Sequence, residues 1–193
     1  KVMVSAAVSA ILSLFAFINP KKIFLYAPLS LEYKNATNLL GYNCELIHRF
    51  ESFEDDLMLD SQTMVVFQNP SVPDGRYYQL KNVLNHMIKA DAPILIDESF
   101  LDFTNQKSVI ESFQWYPKLF VLKSFSQFYG IGGIHISVII GNKIPITNLK
   151  KNRTDPEISK FDASYLIDLL QDTNYIKIAK ALTSKNNIEL EHI

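Results

Sequence analysis

A chain of 193 residues, 48% hydrophobic and 20% charged, can bury a substantial core and is expected to form one domain with an appendage. Its formal net charge of −1 excludes the basic footprint of a nucleic-acid binder. A single cysteine, Cys44, excludes an internal disulfide and a cysteine-based metal cluster, and suits a reducing, cytoplasmic setting.

The chain opens on Lys1 and an apolar run of about 17 residues, Val2–Ile18, at the short limit for a membrane span. Asn19, Pro20, Lys21 and Lys22 then lead straight into an apolar strand, so the expectation is a buried helix, Ser5–Phe17, packed on a sheet. No methionine precedes Lys1, which leaves room for a longer chain.

Short apolar runs then recur: Ile23–Tyr26, Cys44–His48 (half-buried), Met64–Phe67, Ile94–Ile96, Leu119–Leu122 and Ile136–Ile140. Several are apolar at every position, as strands covered on both faces of a parallel sheet are. Helical patterns separate them. Leu31–Leu40 stops at Gly41, and Gly75–Ala90 spaces Tyr78, Leu80, Val83, Leu84, Met87 and Ile88 along one face. Ser108–Trp115 closes at Pro117. Past Gly141, Pro145 and Pro156 bracket a helical stretch, Thr147–Arg153, and helices over Glu157–Leu170 and Tyr175–Ser184 follow. The expected fold is α/β, a three-layer α/β/α sandwich with a mainly parallel sheet and extra C-terminal helices. The expected division is 1–155, with 156–193 as the C-terminal helices.

Three polar clusters stand at strand ends. Asn69-Pro70-Ser71-Val72-Pro73-Asp74-Gly75 is a turn in which Asp74 is placed to cap a following helix. Asp97-Glu98-Ser99-Phe100 follows the fourth strand; a buried Asp there could hold a cationic ring nitrogen, or simply cap the next element. Lys123-Ser124-Phe125-Ser126-Gln127 runs into Gly130, Gly132 and Gly133; hydroxyls at such a turn suit phosphate oxygens, and glycines allow close backbone approach. Ligands of open parallel sheets bind at the carboxyl ends of strands, so Asp97 and Gln127 are expected to face one crevice. His48, His86 and His192 are isolated and imply no metal site. Trp115 and Tyr116 suit packing, and Tyr77 and Tyr78 could contribute to a dimer surface.

These clusters resemble the class I/II aminotransferases that use pyridoxal phosphate, with histidinol-phosphate aminotransferase and threonine-phosphate decarboxylase as the nearest kinds. NPSVPDG is similar to their Asn-Pro-x-Asn-Pro-x-Gly turn, and DESFLDF to their Asp-Glu-Ala-Tyr/Phe strand end. LKSFSQFYGIGGIHIS is similar to their Ser-Leu-Ser/Thr-Lys-Phe segment with its glycines and arginine, and APLSLEY to their Ala-Pro-Thr-Phe/Tyr-Ser-x-Tyr turn. The resemblance implies the large domain of that fold, homodimerisation, and an amino-acid or amino-acid-phosphate substrate. It also implies an N-terminal segment and a C-terminal small domain that lie outside this sequence. No membrane or nucleic-acid partner is implied.

Transferred residue by residue, the resemblance gives Asp97 the pairing with the pyridine nitrogen, with Phe100 at the aromatic position after it. Ser124 and Ser126 fall at cofactor-binding hydroxyl positions, of which Ser124 could bind the phosphate, and Ser5, Ala6 and Ala7 at the helix N-terminus that cradles it. Tyr33 keeps an aromatic of the strand-end turn. Four positions depart. The lysine that tethers the cofactor falls at Gln127, whose carboxamide is no nucleophile. The ring-contacting asparagine falls at Val72, the stacking aromatic at Ser30, and the arginine near the phosphate at His135. Lys123, four residues before Gln127, lies on the strand side of the turn. Three readings follow: an aminotransferase-like protein that has lost lysine-dependent catalysis; an active transaminase or decarboxylase with Gln127 an introduced change; or a non-catalytic dimerising scaffold.

Overall fold

The computed structural model describes residues 1–48, 58–151 and 158–190. Seven strands make one sheet: β1 (Val2–Ser5), β2 (Lys22–Ala27), β3 (Asn43–His48), β4 (Thr63–Gln68), β5 (Ile94–Asp97), β6 (Leu119–Ser124) and β7 (Ser137–Gly141). Their order across it is β1-β7-β6-β5-β4-β2-β3. The run β6-β5-β4-β2-β3 is parallel, and β7 pairs antiparallel with both β6 and β1. Only β7 therefore runs backwards, and the carboxyl ends of β1, β2, β4, β5 and β6 share one edge. The expected α/β sandwich holds, with a mixed sheet.

Helices cover both faces. On one lie α1 (Ala7–Ile18), α2 (Leu31–Leu40) and α5 (Lys143–Lys151), where Ile11, Leu14, Phe15, Tyr33 and Ile146 pack on Leu25, Val66, Leu95, Phe120 and Ile139. On the other, Leu84 and Met87 of α3 (Lys81–Lys89) pack with Tyr116 on Phe24, Val65, Ile96 and Val121. Neighbours along each strand thus go to opposite layers, as the two-residue period of a strand requires. A third cluster joins Phe128, Tyr129 and Ile131 to Leu166 of α6 (Lys160–Gln171), with Tyr175 and Ile176 of α7 (Thr173–Leu190) against it. α4 (Ile110–Phe113) is a single turn.

Several boundaries differ from the sequence reading. The N-terminal helix starts at Ala7, because Val2–Ser5 pairs with β7 as an edge strand. Its alternation of exposed Val2 and Val4 with buried Met3 and Ser5 is a strand period that the apolar run conceals. No helix among the described residues is long and apolar enough to cross a membrane. Cys44–His48 is an edge strand and mostly exposed.

The helix expected from Gly75 starts only at Lys81. Asp74 does not cap it. Its carboxylate instead accepts from the Ser71 hydroxyl, from the Arg76 N–H at 3.3 Å and from the Tyr78 hydroxyl at 2.9 Å. The Asn69 side chain bonds both the N–H and the carbonyl of Tyr78, which withholds those backbone groups from a helix. Pro145 sits inside the first turn of α5, where its missing N–H costs nothing. Arg153, Pro156, Glu157, His192 and the expected 155/156 boundary lie outside the described residues.

Candidate functional site

The pleat decides what faces the crevice. Leu95 points to the α1/α2 layer, so Asp97, two residues on, does too. By the same count Gln68 on β4 and Ser124 on β6 emerge on that face, while Lys123 emerges on the other. Gln68, Asp97 and Ser124, together with Ala7, Ser30, Glu32, Val72, Ser99 and Phe100, and with Leu122, Ser126, Gln127 and His135, line a cavity of about 210 Å³. Asp97 and Gln127 therefore do share one crevice. Of the α1 N-terminal candidates, Ala7 lines it, and Ser5 and Ala6 do not.

Asp97 is buried, 4% exposed, and each of its oxygens is doubly bonded by the protein. Oδ1 accepts from the Ser99 N–H at 2.9 Å and the Ser99 hydroxyl at 2.5 Å. Oδ2 accepts from the Tyr33 hydroxyl at 2.6 Å and the Gln68 carboxamide at 3.0 Å. Burial pushes the Asp97 carboxyl up, and these hydrogen bonds pull against it. Tyr33, buried beside it, is pushed well above its usual range by desolvation and then by the carboxylate.

Gln68 was not singled out by the sequence, yet it holds the floor of the cavity. Its Oε1 accepts from the Ser30 N–H at 2.9 Å while its amide nitrogen reaches Asp97. Turning the amide over would set oxygen against carboxylate and nitrogen against N–H, so the network fixes its orientation. Ser99 is the second residue the sequence reading passed over. Its hydroxyl accepts from the Ser124 N–H at 3.0 Å and hands its own proton to Asp97, linking β6 to β5. The only available signal for either was position: Gln68 is the polar end of an apolar strand, and Ser99 replaces the alanine of the motif that DESF resembles.

At the opposite end, α1 begins with no side-chain cap, so its first N–H groups are open to an anion. The Ser124 hydroxyl, on a residue 7% exposed, has no protein partner among the described residues and belongs to the cavity wall. The Ser126 hydroxyl is turned back onto the Ile134 carbonyl at 2.8 Å, stapling its own loop. Gln127 and His135 are exposed on that loop. Val72 and Ser30 border the middle of the cavity, and Ser30 is the N-cap of α2. No lysine among the described residues lines the cavity. Lys123 pairs with Asp102 at 3.0 Å on the far face of β6, near the buried Glu98. No group of residues that could hold a metal ion exists among the described residues.

An open α/β sheet with a crevice at its carboxyl edge, ending in a helix N-terminus and a buried Asp, defines a class of ligand-binding large domains. Residues 2–187 match the family model for aminotransferase class I and II, and the chain belongs to that family. It is 28% identical over 143 residues to histidinol-phosphate aminotransferase of Clostridium acetobutylicum, an alignment covering 72% of this chain and 40% of that protein. The solved structure of the enzyme from that organism superposes with a TM-score of 0.83 at 23% identity, over 98% of this chain and 60% of the other. L-threonine-O-3-phosphate decarboxylase from Porphyromonas gingivalis gives 0.73 at 19%, over 94% and 53%. A PLP-bound C-S lyase from Staphylococcus hominis gives 0.83 at 17%, over 99% and 54%. These structures carry the fold, that of pyridoxal-phosphate-dependent transferases. The chain spans about 40% of the length of the curated relatives it matches.

The residues present fit that family's cofactor at one end only. The uncapped α1 and the Ser124 hydroxyl suit a phosphate. The ring end does not fit: the acceptor sites of Asp97 are filled, Val72 offers no donor, Ser30 no stacking face, and Gln127 no amine.

Proposed function

We propose that this chain is an aminotransferase-family large domain without lysine-dependent catalysis, retained as a dimerising, small-molecule-binding scaffold. The observation that supports it most is the identity of the side chain at the end of the crevice. Gln127 lines the cavity, and a carboxamide neither forms a covalent link to an aldehyde nor carries the proton that an amine would. Lys123 offers no replacement, since its ammonium lies across the sheet in a mostly buried ion pair.

The dimer is proposed from the family resemblance. Val8 and Leu31, each next in sequence to a cavity residue, are 48% and 68% exposed and supply the apolar surface such a contact would use. By the same resemblance the small molecule would be an amino acid or a phosphorylated amino acid, in the cytoplasm, with the phosphate at the α1 end.

Incubation with pyridoxal phosphate, borohydride reduction and peptide mass mapping tests this reading. Labelling confined to exposed lysines, at the level of an unrelated protein, is expected. Stoichiometric adduct on Lys123 would overturn it. Light scattering tests the dimer, and a strict monomer would remove that part. The competing reading is an active transaminase or decarboxylase altered only at Gln127. It requires that Gln127→Lys alone restore turnover of an amino-acid phosphate.

A further inference from the structure

The carboxylate of Asp97 presents about four acceptor positions when ionised. All four are taken by the protein: two by Ser99, one by Tyr33 and one by Gln68. Of these donors, Gln68 and Ser99 themselves line the cavity. A protonated ring nitrogen entering there would meet a carboxamide nitrogen that already holds Oδ2. To reach the carboxylate it must push that group aside. Gln68 cannot leave cheaply, because its other end satisfies the Ser30 N–H, and moving it strands two polar groups at once. Ser99 cannot leave either, since its hydroxyl is the acceptor for the Ser124 N–H.

We propose that Gln68, assisted by Ser99, is the specificity-determining residue of the crevice: it stands in for a cationic ring nitrogen at Asp97, so that the crevice admits phosphate monoesters without rewarding a protonated ring. Asp97 is then a structural node joining β4, β5 and α2, and its charge is spent inside the protein. This goes beyond the loss of the lysine. A ligand without an aldehyde needs no lysine, so the two ideas fail separately.

The probes are pyridoxamine 5′-phosphate, which has the ring nitrogen and no aldehyde, and its carbocyclic counterpart with CH in place of that nitrogen. Calorimetric Kd values are measured for both, on the wild-type chain and on Gln68→Ala/Ser99→Ala. For wild type the two Kd values are expected within about twofold of each other. In the double variant pyridoxamine phosphate should gain about tenfold or more, the worth of one charge-assisted hydrogen bond, and the carbocycle should not. A tenfold preference for pyridoxamine phosphate already present in wild type overturns the proposal. So does the absence of any selective gain in the variant, including no binding of either probe. Should circular dichroism show the double variant unfolded, Ser99→Ala alone is titrated, and the ultraviolet spectrum of bound pyridoxamine phosphate reports ring protonation in wild type. A bound ring nitrogen protonated well above the pH at which the free ligand loses its proton overturns the proposal; an unshifted one supports it.

Discussion

Gln68 and Asp97 are register partners on neighbouring parallel strands, and the carboxamide of the one donates to the carboxylate of the other at 3.0 Å. In-register residues of adjacent strands point to the same face, so the pairing is fixed by the sheet. Tyr33 then comes down from the first turn of α2 onto the same oxygen. One carboxylate thereby ties two strands and a helix together at the edge where a ligand would enter.

Removing that carboxylate should cost far more than the removal of its few atoms. Asp97→Ala leaves the buried Tyr33 hydroxyl, Gln68 amide and Ser99 donors without their shared acceptor. Each buried polar group left without a partner costs about 1–3 kcal/mol. Urea unfolding should show a loss of about 3 kcal/mol or more. A loss below about 1 kcal/mol would mean that the node is wet and its donors turn to water.

Glu98 points into the opposite layer and supplies a pH signature. It is buried, its Oε1 accepts from the Val109 N–H at 2.8 Å, and its Oε2 has no hydrogen-bond partner among the described residues. Burial holds its carboxyl above the ordinary 4.5, with the hydrogen bonds of Ser108 and Val109 and the charge of Lys123 opposing. The folded chain therefore binds this proton more tightly than the unfolded chain. Its contribution is fully present below the unfolded value and is lost as pH rises through the folded one. Glu98→Gln removes the titration and leaves Asp97 titrating in both proteins. The Tm of wild type minus that of Glu98→Gln should fall as pH rises above the ordinary glutamate value of 4.5. A flat difference would sink the assignment.

Much of the fold was legible because its central strands have apolar cores covered on both faces and its helices have a 3.6-residue stripe. The layer order and the crevice follow from that alone. What was hidden was hidden for physical reasons. β1 alternates, but it abuts the apolar α1 and so merges with it. The helix expected from Gly75 loses its first six residues, and there the Asn69 and Asp74 side chains bond the backbone locally where a helix would need it free. In the site, Asp97 and Gln127 could be named from strand ends. Gln68 and Ser99 could not, because a donor's importance there depends on which oxygen it reaches, and only the register sets that.

Tyr175 anchors α7 to the loop that carries Gln127. Its hydroxyl donates to the Phe128 carbonyl at 2.8 Å, and its ring stacks on Tyr129 with centroids 5.6 Å apart. Tyr175→Phe should cost about 1 kcal/mol, the net worth of the hydrogen bond. Tyr175→Ala should cost about 3 kcal/mol, because the ring contacts go as well. Limited proteolysis should cut α7 faster in the alanine variant and leave the phenylalanine variant close to wild type. Equal losses in both would place the energy in the hydroxyl alone.

Gln127→Lys separates the missing amine from the rest of the crevice. The new ammonium stands on the exposed loop that lines the cavity, so pyridoxal phosphate and borohydride should label residue 127, and mass mapping should find the adduct there. Turnover should not follow. The power of that cofactor lies in a protonated ring that withdraws electrons, and a donor-saturated Asp97 does not hold the proton there. Val72 and Ser30 also leave the ring without a side-chain donor or a stacking partner. Adding an amino acid to the loaded variant should therefore leave pyridoxal phosphate unconverted, read as no growth of pyridoxamine phosphate by chromatography. Adding Gln68→Ala and Ser99→Ala on top of Gln127→Lys should then raise conversion above background. Turnover from Gln127→Lys alone would show that one substitution separates this chain from an active enzyme, and that Asp97 yields its acceptor sites when a ring is present.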